Sequence, residues 1–595
     1  MSDQKNEKED FEYVVLVEFA HKHLDFLLPE LLSVLEMNGV IIQQHDKEEE
    51  KEEDIDDSKS YCHMLPLPNE ERYHQETKAA PQRAFALLAF PSSWYHKGNS
   101  HAQLRPEKHT QPPEERQKDP EPSKEEKDKG SSSTKTIASF LSRCVLVRRV
   151  IELWGKPGTT IPEMAENTQQ WIKDKTSLGA TIYHEICHPP TQSWKLTIQT
   201  LGAKYTRQEH DDMRANFAFL DFPGKVQMKQ PDHEFILIRE MELDTQGNPL
   251  YPRHGQLQQE HDKSQHQTTI IPQHDQRLPL ACYFGRVLWA RDKNSMERYD
   301  LKNRVYLGPT SMDAELSFVM ANLGQVQEDS VVLDPFVGTG SILVSCAIRG
   351  AYCVGTDIDI RVLRGKEENI YSNFQQFQLP RPELIRSDNA IYHRHFRTSE
   401  PWVDTIVTDP PYGIRAGARK SGSRLDQPRV IPEEHRHDHI PQTKPYCVAD
   451  VMADLLDVAA RALVMGGRMV YVIPSFAKDF NPDEDLPQHD CLTVIHLSFQ
   501  PFTQDLGRRM VTMKKVHDYD PKMRETYLAK TWKNGPASAE KCANIREKLM
   551  EAAKLKPGYE EKSRVRKQKR KEHKEQKKKA KLEINKPQDG QKSEE

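Results

Sequence analysis

SVVLDPFVGTGSILVSCAIRGAYCVGTDID, from Ser330 to Asp359, is the stretch on which the fold turns. SVVLDPF reads as the end of a buried strand. Gly338 and Gly340 then allow a tight turn, and GSILVSCAIRG reads as an apolar helix stopped by glycine. AYCVGTDID is a second strand, ending in Asp357 and Asp359. Downstream, RVLRGKEENIYSNF reads as one helix and PELIRSD as a third strand. VDTIVTDPPYG is a fourth, followed by the helix ADVMADLLDVAARALVMGG and the strand RMVYVIP. Strands alternating with helices from Cys282 to about Val516 predict an α/β fold with a doubly wound, parallel, Rossmann-like sheet.

The loops at the strand ends carry the chemistry, because open α/β sheets bind ligands there. DPFVGTGS (Asp334–Ser341) lets a ligand approach the backbone and a helix N-terminus. It is not GxGxxG and lacks the GK[ST] of a P-loop, which disfavours a phosphate site. Asp357 lies 17 residues past Gly340, at the tip of the second strand, where such folds hydrogen-bond a ribose diol. Capping the next helix is the competing role for Asp357 and the favoured one for Asp359. Asp388, at the end of the third strand, is placed to take an adenine amine. An adenosine-bearing ligand therefore spans the strand ends. TDPPYGIR (Thr408–Arg415) lies on the next strand along. Its prolines fix their own φ and restrain the residues before them, so the loop is stiff. The long insertion 417–445 follows directly and is positioned to touch substrate.

The chain has 595 residues, too many for one core, with 36% hydrophobic and 29% charged residues, a mix of globular domains and disordered segments. Net charge is −5, but nine acids crowd residues 46–57 and eleven Lys/Arg crowd residues 561–580. The acidic run reads as a solvated segment. The basic one can hold phosphates by counterion release, serve nuclear import, or remain a solvated tail. Nine scattered cysteines with no CxxC pair suggest neither a metal site nor a disulfide framework. There is no secretory signal and no run long enough to span a membrane, so the expectation is a cytoplasmic protein, with a nuclear fraction allowed by the tail.

In the N-terminal half, YVVLVEFA, HLDFLLPELLSVLEMNG and VII read as strand, helix, strand, with Gly39 as the helix stop. AFALLAF returns to the same small sheet. WKLTIQTLG and EFILIRE are further strands, and no internal repeat is visible. The boundaries are 11–95 for the first domain with its acidic insertion, 96–135 for a disordered linker and 136–242 for a second α/β domain. A polar insertion follows at 243–279, the doubly wound domain at 280–520, a helical extension at 521–556 and the basic tail at 557–595.

DPFVGTG, GTDID and DPPYG resemble, in order, the signature motifs of class I S-adenosylmethionine-dependent methyltransferases. FGRVLWARDKNSMERYDLKNRVYLGPTSMDAELSFVMANLG is similar to the catalytic subunits of eukaryotic tRNA guanosine-10 exocyclic-amine (guanine-N(2)) methyltransferases. HLDFLLPELLSVL, IELWG and FPGKVQMKQPDHEFILI carry the same resemblance into the N-terminal half. The resemblance implies S-adenosylmethionine as cofactor, held by Thr310, Asp334, Phe336, Gly338, Gly340, Asp357, Ile358, Asp388 and Asp409. It implies catalysis by Asp409, Pro410, Pro411 and Tyr412. The Asp409 carboxylate and Pro410 carbonyl would accept the hydrogens of a planar amine whose lone pair is delocalised, and Tyr412 would stack on the base. Residues 136–240 would form a THUMP RNA-binding domain behind a ferredoxin-like one, with Lys225 and Lys229 near tRNA or simply on the surface. No metal is expected in the chain itself.

The resemblance further implies a partner, a small zinc-binding activator that adds a strand to the methyltransferase sheet. MVYVI (469–473) would need such cover if it lay at the sheet edge. LTVIHLSF (492–499) or the segment near RRMVTMKKV could cover it instead. Two rival readings remain. One is an adenine-amine methyltransferase acting on DNA or another RNA; the other is a catalytically silent RNA-binding scaffold.

Overall fold

The computed structural model describes residues 13–43, 60–70, 83–98, 136–188, 190–201, 205–241, 279–292, 294–308, 311–365, 367–395, 400–411, 418–422, 432–435, 442–478, 480–503 and 506–535, with isolated positions 564 and 568. The acidic run, nearly all of the 243–279 insertion, most of the 96–135 linker and nearly all of the basic tail lie outside them, as do Thr310 and Tyr412.

The first sheet has eight strands: β1 (Tyr13–Phe19), β2 (Val40–Gln43), β3 (Ser60–Leu65), β4 (Phe85–Phe90), β5 (Val147–Leu153), β6 (Trp194–Leu201), β7 (His233–Glu240) and β8 (Ala281–Ala290). Their order is β2-β3-β4-β1-β5-β8-β7-β6. The two halves are wired alike. In the first, β1 pairs antiparallel with β4, β4 antiparallel with β3, and β3 parallel with β2. In the second, β5, β8, β7 and β6 repeat that scheme, and an antiparallel β1–β5 pair joins the halves. A repeat invisible in the residues is thus present in the pairing, since many side-chain sets satisfy the same alternation.

Cys282–Ala290 was expected to belong to the doubly wound sheet. It lies instead in β8, between β5 and β7. The reason is close packing: a Cβ on Gly285 would stand 2.1 Å from the Glu152 carbonyl oxygen, so only glycine admits this strand.

The second sheet comprises β9 (Val331–Asp334), β10 (Tyr352–Asp357), β11 (Glu383–Arg386), β12 (Val403–Thr408), β15 (Leu463–Phe476), β16 (Leu492–Pro501) and β17 (Leu506–Lys515). Its order is β11-β10-β9-β12-β15-β17-β16, and only β17 runs against the others. A small hairpin, β13 (Arg419–Ser421) with β14 (Thr443–Pro445), stands apart. Neighbouring residues of the central strands enter opposite cores. Val332, Val407 and Val470 join one, Leu333, Ile406, Met469 and Tyr471 the other. Burial on both faces explains why these strands read as continuous apolar runs.

One open alternative closes and two sequence expectations change here. MVYVI is not an edge: β17 pairs along β15 from Arg468↔Lys514 to Phe476↔Leu506, and β16 covers β17 in turn. The chain's own later strands satisfy the backbone groups that seemed to need a partner. RVLRGKEENIYSNF is not one helix. It breaks at Gly365 (φ 63°) into Ile360–Arg364 and Ile370–Gln376. The helix Val448–Ala462 ends earlier than expected, because Leu463 already pairs with Val403 in the sheet.

The helix Leu27–Met37 couples the two sheets. Glu30 is fully buried and its carboxylate accepts Val145 N at 2.6 Å, Leu146 N at 2.9 Å and Asn322 Nδ2 at 2.7 Å. Arg468, from β15, donates to Ser33 Oγ at 3.1 Å and pairs with Glu36. A buried carboxylate bonded as fully as that of Glu30 holds a fixed arrangement of the elements that meet at it.

Candidate active site

The site forms where β9, β10 and β12 end together. Asp334 closes β9 and is 1% exposed. Its Oδ1 accepts Phe336 N at 3.1 Å and the Thr408 hydroxyl at 2.7 Å. Thr408 is the last residue of β12 and immediately precedes Asp409. One carboxylate therefore ties the glycine loop to the DPPY loop. Burial pushes Asp334 up to about 7, the Thr408 and Phe336 bonds oppose this, and nearby Asp357 and Asp409 add to it.

That shift has a testable sign. An unfolded aspartate titrates near ~3.9, so between there and about 7 the folded chain binds the extra proton. Stability is then present at low pH and lost as pH rises through the folded value. The melting temperature of the wild type is expected to fall more steeply between pH 5 and 8 than that of Asp334→Asn, which cannot ionise. Parallel profiles for the two proteins would contradict the assignment.

Gly338 (φ 47°) and Gly340 (φ 75°) both need the left-handed backbone that glycine tolerates. They differ in surroundings. A Cβ on Gly340 would meet Ile370 Cγ2 at 2.7 Å, whereas one on Gly338 would meet only the Phe336 carbonyl oxygen at 3.9 Å. The space over Gly338 is open. Asp357, at the tip of β10, faces this loop. Its Oδ2 accepts Gly338 N at 3.1 Å and its Oδ1 accepts Asp359 N at 2.8 Å. Burial raises its pKa, and those two amide bonds oppose the rise. Asp359 caps Ile360–Arg364 through Arg361 N and pairs with the Arg361 side chain, which lowers its pKa.

Asp388 is 5% exposed, and both of its oxygens are engaged. Oδ1 accepts Ala390 N at 3.0 Å, and Oδ2 accepts Ser421 N at 2.6 Å in β13. The third strand tip thus anchors the insertion that follows the DPPY loop. Tyr446 N donates to Ala418 O at 3.0 Å, and the Tyr446 hydroxyl bonds Asp454, closing the base of that insertion. Phe336 packs against the cluster of Ala418, Tyr446 and Val451. Ile358 is half-buried, its carbonyl accepting Arg386 Nε at 3.3 Å.

Asp409 and Pro411 are half-buried and Pro410 is buried, directly beyond the last β12–β15 pair, Thr408↔Tyr471. Ser311, next to Thr310 in GPTSMD, was missed as a site residue. Its Oγ accepts Gly308 N at 3.0 Å and shares a hydrogen bond with Thr339 Oγ1, between the two glycines, at 2.8 Å. The hydroxyls in GPTSMD were a signal; their target on the glycine loop was not.

Lys225 and Lys229 are exposed on the segment beside β6, the outermost strand of the first sheet, and the structure does not bring them to the loops above. Trp194 N donates to Lys225 O, and Trp194 Nε1 to Gly224 O at 2.8 Å, so the backbone is pinned while the ammonium groups face solvent. Among the described residues no cluster of three or more His, Cys, Asp or Glu could hold a metal ion. No described helix is long and apolar enough to cross a membrane.

Comparisons with known proteins agree with this geometry. Residues 302–430 match the family described as RMKL-like, methyltransferase domain, and residues 131–264 match the Tmrp11 THUMP N-terminal domain. The tRNA (guanine(10)-N(2))-methyltransferase TRMT11 of Homo sapiens is 32% identical over 405 residues, covering 66% of this chain and 79% of that protein. The protein of that name from Dictyostelium discoideum is 34% identical over 409 residues, covering 65% and 72%. TrmN from Thermus thermophilus, a solved structure, is 13% identical with a TM-score of 0.34, covering 85% of this chain and 100% of that one; so faint a likeness carries no argument. The sheet order, the glycine loop and the matched domain define a Rossmann-like methyltransferase behind a THUMP-containing region. Within that class, the chain belongs to the tRNA (guanine(10)-N(2))-methyltransferase TRMT11 family.

Proposed function

We propose that this chain is the catalytic subunit of a tRNA methyltransferase that methylates the exocyclic amine of guanosine 10 with S-adenosylmethionine as donor. The observation that carries the reading is the Asp334 bridge, because it seats the DPPY loop beside the glycine loop through the 2.7 Å bond to Thr408. A methyl donor and an amine acceptor need that adjacency, since bringing reactants together in line supplies much of the rate.

The residues fit an adenosine-bearing donor. Gly338 leaves open space, and Asp357 presents a half-buried carboxylate at the edge of it. Asp357 would hold the ribose diol with the lone pairs that its two amide bonds leave over. Asp388 would reach an adenine amine in the same way, and Phe336 and Ile358 would flank the base. The donor supplies an electrophilic methyl group. Everything else falls to the protein. Asp409 accepts one amine hydrogen and stabilises the positive charge that builds on nitrogen during attack. The Pro410 carbonyl accepts the other hydrogen, and proline has no N–H to compete. The two acceptors keep the amine lone pair aimed at the donor, and Asp409 takes the proton late.

The THUMP-containing half would dock tRNA, with Lys225 and Lys229 as phosphate contacts. A small zinc-binding activator would add its strand at an outer strand of the second sheet. Those outer strands are β11 and β16, which present Ile385 and Val494 at 39% exposure each. The described cysteines are free thiols, which suits a reducing compartment such as the cytoplasm.

The test is mass mapping of tRNA nucleosides after incubation with labelled S-adenosylmethionine, with the activator co-expressed. Label on the guanosine 10 amine supports the reading. Label on adenine favours the rival methyltransferase, and no label with intact tRNA binding favours the scaffold. A lone chain that is soluble and fully active would remove the activator from the proposal.

A further inference from the structure

The strand tips beyond the DPPY loop carry a cluster of aromatic and cationic side chains that the site described above does not use. β15 runs parallel to β12, with Thr408 opposite Tyr471, and continues past that pair to Phe476. Phe476 pairs with Leu506, where β17 starts, so the turn between β16 and β17 stands at the same edge of the sheet as the glycine and DPPY loops. β17 is two strands from β12, and neighbouring strands lie ~4.8 Å apart, so the turn sits about 10 Å to the side of the DPPY loop. That is the span of about three stacked bases at ~3.4 Å each.

Arg509 ties the cluster together. Its Cζ lies 3.8 Å from the Phe480 ring centre and 4.8 Å from that of Phe499, and its Nε donates to Ser475 Oγ at 3.0 Å. Burial lowers its pKa, and Asp25 and Asp485 oppose the fall. Arg508, its neighbour, is placed differently. Its Nε donates to Gln500 Oε1 at 2.6 Å, its Cζ lies 5.5 Å from the Phe502 ring centre, and no acid among the described residues pairs with it. Phe502 is 55% exposed. Its backbone is pinned all the same, because Phe502 N and Thr503 N both donate to Leu506 O, at 2.8 and 2.9 Å. A ring held out in water beside a guanidinium without an acid offers a flat π-face and a positive charge together. The cluster also reaches the other half of the chain: Phe499 N donates to Asp25 Oδ2 at 3.2 Å. It therefore lies between the THUMP-containing half and the DPPY loop.

We infer that Phe502 and Arg508 form a docking point for the RNA strand next to the target nucleotide. Phe502 stacks on an unpaired base and Arg508 holds a phosphate, while the Arg509 cluster fixes the strands that carry them. The chemistry favours RNA over a protein. An enzyme that acts on a base within a folded nucleic acid takes that base out of its stack, and the neighbours it leaves need a new surface to stack on. Exposed aromatic rings with arginine beside them are what unstacked RNA binds. This assignment rests on the proposed function and adds to it an RNA contact on the methyltransferase domain itself.

The full chain, co-expressed with the activator, would be titrated with tRNA over a range of salt concentrations and, separately, with S-adenosylhomocysteine. Phe502→Ala is expected to weaken tRNA binding by roughly 10-fold, the scale of one lost base–aromatic stack, and to raise the KM for tRNA with kcat nearly unchanged. Phe502→Trp keeps a stacking face and should bind tRNA as the wild type does. Arg508→Gln should reduce the slope of log affinity against log salt by about 1, the signature of one lost phosphate contact. S-adenosylhomocysteine affinity should respond to none of the three. Unaltered tRNA affinity in Phe502→Ala, or an unaltered salt slope in Arg508→Gln, would overturn the assignment. So would equal loss of tRNA and S-adenosylhomocysteine in Phe502→Ala, which marks a general disturbance of the fold. Loss of the co-purified activator in Phe502→Ala would overturn it in favour of a protein contact. A wild-type complex that binds no tRNA would bring down the tRNA reading itself, a result distinct from any of these.

Discussion

Replacing Asp409 with alanine is expected to slow methyl transfer by roughly 100- to 1,000-fold, the range found when one preorganised acceptor or donor is removed from a transition state. The exocyclic amine of guanine is a poor nucleophile because its lone pair is shared with the ring. Attack builds positive charge on nitrogen, and the role proposed for Asp409, a half-buried carboxylate at the end of β12, is to stabilise it. The loss should fall on the turnover number. Donor affinity should be nearly unchanged, because Asp409 is proposed to face the base, and the other groups proposed to hold the donor follow β9, β10 and β11. The fold should survive as well, since Thr408 rather than Asp409 makes the bond to Asp334. Single-turnover kinetics with labelled donor, alongside donor calorimetry, would measure both quantities. Turnover within a few-fold of wild type would remove Asp409 from the mechanism.

The second large effect is expected at Asp357. Asp357→Ala should weaken donor binding by about 3 kcal/mol, roughly 150-fold, because a ribose diol loses a charged partner in a site shielded from water. The substitution also frees the Gly338 and Asp359 amides, which the carboxylate holds at 3.1 and 2.8 Å. Asp357→Asn separates the two contributions, since an amide oxygen can still accept an N–H but carries no charge. It should recover loop geometry and only part of the affinity. Binding of tRNA by the THUMP-containing half should not respond to either change. Donor affinity equal to wild type in Asp357→Ala would leave Asp357 a cap and nothing more.

Much of the site was legible because strand ends announce themselves. Asp334, Asp357, Asp388 and Asp409 each follow an apolar run, and a polar residue there must sit where a buried strand leaves the core. Gly338 and Gly340 were legible because left-handed backbone selects glycine. What those acids bond to was not legible. Asp334 was expected to contact cofactor; the structure shows it spending an oxygen on Thr408, 74 residues away. Asp388 read as an adenine contact, and its oxygens hold the turn at Ala390 and the hairpin at Ser421.

The order of elements and the chemistry of the loops were determined by the sequence itself, because hydrophobic period, glycine and proline act on their immediate neighbours. Which strand stands beside which was decided only in three dimensions. MVYVI is equally apolar at an edge or in the interior, and β17 settled the matter by pairing along it. Ala281–Ala290 could have opened either sheet, and Gly285 permits the close approach to β5 that a side chain would block. Glu30 belongs to a helix whose apolar pattern is complete without it, yet two backbone amides and Asn322 make its burial possible. Such choices depend on contacts between residues far apart in the chain, and local pattern carries no record of them until the chain has closed on itself.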